Sequence, residues 1–155
     1  MTKGSIVRVS VAAALLVLGC GGGAGSPADA FVGSWTFDSG SIDFAGTCGG
    51  VFLPSIDLTG AVVTITKDDS ADVTATFAAT DASCDVVYAV DPGQGQVKTG
   101  QCAISGAMTG TFVVDSGLLY LLNNDLILHL LGGFEPTGTS TNACSVISDD
   151  TAPNL

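Results

Sequence analysis

The sequence predicts an all-β fold: a small antiparallel up-and-down β-barrel of about eight strands, lipocalin-like in layout, or a barrel-like sandwich. Three observations carry this. From Phe31 onward the apolar residues recur with period two rather than 3.6. Turn-forming clusters recur every eight to twelve residues or so, the spacing of meandering strands. The chain of 155 residues suffices for one domain, and its apolar content and 21 glycines do not describe a disordered acidic tail.

Taken in order, Trp35 and Phe37 share one face, and Ile42 and Phe44 share another whose parity differs. The change falls at Ser39-Gly40-Ser41, which must be a bulge, a bend or a tight hairpin. Val63 and Ile65 alternate up to the turn Lys67-Asp68-Asp69-Ser70. The cleanest strand is 72–79: Val73, Ala75, Phe77 and Ala79 face one way, Asp72, Thr74 and Thr76 the other. Cys84, Val86, Tyr88 and Val90 form the next set, turned around by Asp91-Pro92-Gly93-Gln94-Gly95. Further strands are expected at 96–104, 109–115 and 143–148. The Leu-rich segment 117–133 ends in glycines and could be a helix with a glycine stop. Turn formers Asn123-Asn124-Asp125 interrupt it centrally, however, and Leu126, Leu128 and Leu130 alternate with Ile127, His129 and Leu131. A hairpin turning at Asn123-Asn124 fits better.

Charge narrows the function. The only cations are Lys3, Arg8, Lys67 and Lys98, and all fifteen acids lie beyond Cys20. A chain starting at Cys20 has two cations against fifteen acids, a net charge of −13. Nothing is available to neutralise phosphates, which argues against nucleic acid, and docking on anionic lipid head groups is equally disfavoured. No catalytic set can be assembled. His129 is the only histidine and sits in an apolar run, and no strained G-x-S-x-G turn is present. Asp68-Asp69 and Asp149-Asp150 could attract calcium, but turn solvation explains them as well and no EF-hand loop exists. The expectation is no enzyme, no metal and no cofactor.

The first nineteen residues have the parts of an export signal. Lys3 and Arg8 make a basic start, residues 9–18 are nearly all apolar, and small Gly19 closes the run. The apolar stretch is about half the length a membrane-crossing helix needs, so a cleaved signal helix is expected. The run Leu16-Val17-Leu18-Gly19-Cys20 resembles the lipobox of bacterial lipoproteins. That resemblance implies diacylglycerol on the Cys20 thiol, cleavage before Cys20 and acylation of the new amine, so the membrane is the partner through lipid on Cys20. Two or three acyl chains hold effectively permanently. Position 21 is Gly rather than the Asp that favours inner-membrane retention in enteric lipoproteins, so the resemblance implies a cell-envelope protein of the outer membrane. Residues 20–30 then read as the lipidated cysteine and a Gly/Ser/Pro-rich tether reaching about 16–19 Å. Residues 31–155 form the body.

Four cysteines remain beyond Cys20: Cys48, Cys84, Cys102 and Cys144. In an exported chain they read as two disulfides with three possible pairings, and the absence of a close pair argues against zinc or redox chemistry. Cys84 and Cys102 lie nine residues either side of Gly93, so a hairpin turning there sets them opposite one another. Cys48 and Cys144 pair by exclusion, joining the first strands to the last.

Gly33-x-Trp35 at the start of the first strand resembles the G-x-W signature of lipocalin-like barrels, where the tryptophan plugs the closed end. The body has no arginine to pack on it, a departure from that pattern. The whole layout is similar to small, cysteine-bridged lipoproteins of myxobacteria. Two functions follow. One is a non-enzymatic interaction or structural module on the envelope. The other is a carrier of a small apolar ligand, with Trp35, Phe37, Phe77 and Tyr88 lining the cavity. A filled interior favours the module and an open one the carrier.

Overall fold

In the computed structural model, residues 5–9, 25–44, 47–48, 51–52, 55–106, 109–137 and 146–147 are described, and nearly all of them are strand or turn. The strands are β1 (Ser5–Val9), β2 (Gly33–Thr36), β3 (Ser39–Ile42), β4 (Thr47–Cys48), β5 (Val51–Phe52), β6 (Ile56–Asp57) and β7 (Val62–Lys67). They continue as β8 (Val73–Ala79), β9 (Ala82–Asp91), β10 (Gln94–Ile104), β11 (Gly110–Ser116), β12 (Leu118–Leu122), β13 (Asp125–Pro136) and β14 (Val146–Ile147). Alternation sets the faces. Along β8, Val73, Ala75 and Phe77 are buried and Thr76 is exposed; along β9, Ala82, Cys84, Val86 and Tyr88 are buried.

The main sheet runs β2-β7-β8-β9-β10-β11-β13-β1-β3-β6, every pair antiparallel. It returns on itself because several strands are halves of one stave. β2 and β3 form the stave 33–42, β6 and β7 the stave 56–67, and β11 and β12 the stave 110–122 between β10 and β13. The result is a ring of eight staves in chain order, the up-and-down barrel the alternation predicts. The eighth stave is β1, which bridges the last stave to the first. Ser5 pairs with Leu130 and Val9 with Leu126 on one side, and Val7 pairs with Gly40 on the other. A helix is expected for this part of the export signal, whereas in the uncut chain it is a strand. Ile6, Val7 and Val9 are β-branched, and the unpaired edge of β13 offers backbone partners that a short helix does not have.

The parity change at Ser39-Gly40-Ser41 is a bend within one stave, not a hairpin. Both staves change face together. Trp35↔Val63 and Ser41↔Asp57 obey the same register on either side of the corner. Between them Gly60 N–H donates to the Phe37 carbonyl and Leu58 N–H to the Gly40 carbonyl. Matched irregularities thus keep the ladder while turning Phe37 and Ile42, of opposite parity, both into the core.

Segment 117–133 is the hairpin β12–β13. Asn123 and Asn124 both have positive φ, 51° and 68°, as a type I′ turn requires. The tether ends earlier than residue 30. Pro27–Ala30 is a 3-10 turn whose N-cap Ser26 and Asp29 form a capping box, and Ala28 is fully buried. It packs on β9, and Asp29 forms an ion pair with Lys67 at the end of β7. The folded body therefore begins at Ser26, because Ala28 and Phe31 are buried in the hydrophobic core.

Candidate functional site

A ligand-binding barrel needs room inside, so the four candidate lining residues decide the matter. Phe37 and Phe77 pack edge-to-face with ring centroids 5.2 Å apart and are 1% and 2% exposed. Trp35 is partly buried against the core, and its indole N–H donates to the Phe31 carbonyl at 2.8 Å. It ties the exit of the 3-10 turn to the first stave. Tyr88 stands four residues along β9 from Cys84, the partner of Phe77, which is about 13 Å of strand. Its neighbours are Val73 and Val97. The structure sets Trp35 and Phe37 on one stave and Phe77 two staves away across β7, with the Phe37 and Phe77 rings in contact, and does not bring Tyr88 to them.

Interior accessibility is informative because a side chain beside even a water-sized void would retain accessible surface. Val63, Val73, Ala75, Cys84, Val86, Tyr88, Cys102, Phe112, Leu119, Leu126, Leu128 and Leu130 all have 0%. At the far end Phe44 packs edge-to-face on Phe134 and Phe112. The interior around these residues is filled by side chains. Tyr88 hydroxyl is enclosed with them and finds no hydrogen-bond partner. Burial pushes its pKa far above the ordinary phenol value, so it stays protonated.

Cys84 and Cys102 form a disulfide, with Cα atoms 4.0 Å apart, across directly paired positions of β9 and β10. The reason differs in detail from a turn centred on Gly93. Pro92 and Gly93 are the two turn residues, Gly93 at φ 91°, and Asp91 pairs with Gln94. That register alone would set Cys84 against Gln101. A bulge between Val97 and Thr99 adds one residue to β10 and shifts the lower ladder onto Cys84↔Cys102. Lys98, the extra residue, turns outward to an ion pair with Asp72 at 2.6 Å. Cys48 lies in β4, opposite Val51, but the expected Cys48–Cys144 bridge and Cys20 fall outside the described residues and side chains.

A shallow depression of about 320 Å³ marks the outer wall, lined by Gln96, Val97, Ser116, Gly117, Leu118, His129 and Leu131. It forms where the stave 110–122 is interrupted at Gly117, whose carbonyl accepts from Val97 N–H. Only Gly117 itself hints at it in the sequence. His129 is partly buried beside Tyr120, and desolvation lowers its pKa below the ordinary histidine value. Asp68 is occupied by its own turn, accepting from the hydroxyl and N–H of Ser70 and the N–H of Asp72. Those bonds, the Ser70 hydroxyl foremost, hold its carboxyl below the usual range. Among the described residues no group of three or more metal-ligating side chains converges.

No protein-family profile, curated protein or solved structure matches the chain.

Proposed function

We propose that this chain is the precursor of a cell-envelope lipoprotein, cut before Cys20 and held to the outer membrane by lipid on that residue, whose barrel acts as a non-enzymatic interaction or structural module. The observation that carries the module over the carrier is the interior on the staves that β1 does not pair with: Val63, Val73, Ala75, Cys84, Val86, Tyr88, Cys102 and Phe112 have no accessible surface, which leaves no place among them for an apolar guest. The run Leu16-Val17-Leu18-Gly19-Cys20 supports the anchor. The short approach from Cys20 to the capped turn at Ser26 keeps the body close to the lipid surface, while its acidity favours contacts with neutral or basic polypeptide over anionic head groups.

Two experiments test the reading. Expression of the parent and of Cys20→Ala in a bacterial host, with intact-mass analysis, should show lipid on a chain beginning at Cys20 only for the parent. Identical processing and membrane retention of the variant would refute the anchor. Titration with fatty acids, retinoids or haem at micromolar concentration should give no saturable quenching of Trp35, the only tryptophan. A stoichiometric titration that Trp35→Phe abolishes would promote the carrier.

A further inference from the structure

We propose that removal of residues 1–19 opens a one-strand slot in the barrel wall between β13 and β3, and that this slot takes up an extended, β-branched segment of a partner polypeptide as the missing stave. The inference rests on cleavage before Cys20, the reading given above, and names the surface through which the module acts.

The ring closes through β1. Residues 5–9 pair with 126–130 of β13, while Val7 and Arg8 pair with Gly40 and Ser39 of β3. Among the described strands no other occupies that stretch of the β13 edge, since β14 meets it further along, at Gly133 and Phe134. Cleavage therefore leaves seven staves and two facing edges with unpaired backbone groups, beside a core containing Leu126, Leu128 and Leu130.

The two edges are poorly matched to each other. β3 and β13 both run antiparallel to β1, so they run parallel to one another. An odd ring cannot be antiparallel throughout, and direct closure would need one parallel seam in a new register, the weaker kind of pairing. The chain's own C-terminal segment is no better suited. Continuing the register of Gly133↔Ile147 would set Asp150 against fully buried Leu130 and Pro153 against Ile127. A carboxylate would then be desolvated without a partner, and a backbone donor lost.

A strand from outside, antiparallel to both edges, satisfies both ladders at once, which is strand addition to an open sheet. The segment it replaces defines its chemistry: about five residues, roughly 16 Å, rich in β-branched apolar side chains. Ser5-Ile6-Val7-Arg8-Val9 carries one positive charge and no negative one, while the body carries −13, so an acidic strand is disfavoured.

The test uses the processed lipoprotein, purified in detergent from a bacterial host, with intact mass recording where it begins. Amide hydrogen exchange is followed over 125–131 and 39–42, with and without a synthetic peptide of residues 3–11. A control peptide carries Val7→Pro and Arg8→Pro. The expected result is fast exchange over 125–131 in the processed protein alone, slowed about tenfold or more by the peptide and not by the control. Slow exchange there without peptide, whether in a monomer or in a self-associated form, would overturn the slot while leaving the anchor intact. A mass that still includes residues 1–19 would overturn both.

Discussion

Tyr88 offers the sharpest test of how completely the barrel is filled. Its hydroxyl has no accessible surface and no hydrogen-bond partner, so folding strips it of water and returns nothing. An unsatisfied buried hydroxyl costs about 1–3 kcal/mol. Tyr88→Phe removes that cost and leaves a void on the order of 10 Å³, worth about 0.2 kcal/mol against the variant at roughly 24 cal/mol per Å³. The net expectation is a stabilisation of about 1–3 kcal/mol. With a urea slope of about 2 kcal/mol per M, the unfolding midpoint should rise by about 0.5–1.5 M with the slope unchanged. Equilibrium urea unfolding with the disulfide intact, followed by far-ultraviolet circular dichroism and Trp35 emission, measures it. A loss of more than about 1 kcal/mol would refute the reasoning, because it would mean that the hydroxyl is bonded inside the folded protein.

Gly132→Ala should destabilise by about 3 kcal/mol or more in the same assay, because a Cβ there would sit 1.8 Å from the Val113 carbonyl oxygen across the β11–β13 ladder; a neutral result would mean that the staves can spread. Replacing both Cys84 and Cys102 by Ala should cost about 3 kcal/mol, the cross-link spanning 18 residues of chain, and non-reducing peptide mapping should recover these two joined. His129 has a folded pKa below its unfolded one, so between the two the unfolded chain binds more protons and stability rises with pH. Its contribution is present above about 6.5 and lost as pH falls through the folded value, and thermal melts of His129→Gln should lack that component. Asp29, Asp57 and Asp68, all lowered by hydrogen bonds, should add a second loss as pH falls from about 3.8, visible in parent and variant alike.

Local patterning was enough to read most of the staves. Val73, Ala75 and Phe77, or Cys84, Val86 and Tyr88, alternate because a strand places successive side chains on opposite faces, and one face must leave water. The turn chemistry was equally local: Asn123-Asn124 tolerate positive φ, so 117–133 folds back as a hairpin despite its leucines. The Cys84–Cys102 pairing followed from counting outward from a turn, although the count succeeds only because the bulge at Lys98 supplies a residue that the true turn centre omits. Bulges answer to twist and closure of the whole ring, which no window of sequence contains.

Other features depended on distant parts of the chain meeting. Trp35, Phe37, Phe77 and Tyr88 look alike as apolar strand residues; barrel geometry separates Tyr88 from the others and closes the space between them. The capped turn at Ser26 was hidden in a stretch whose composition reads as linker, because its stability comes from burying Ala28 and from Lys67, 38 residues away. Above all, the sequence by itself determined alternation, turns and one disulfide, which are properties of neighbouring residues. Only the tertiary structure decided which strand closes the ring. Ser5–Val9 is read locally as part of an export signal, yet backbone pairing draws on whatever extended segment lies within reach, and the open edges of β3 and β13 left room for one antiparallel strand.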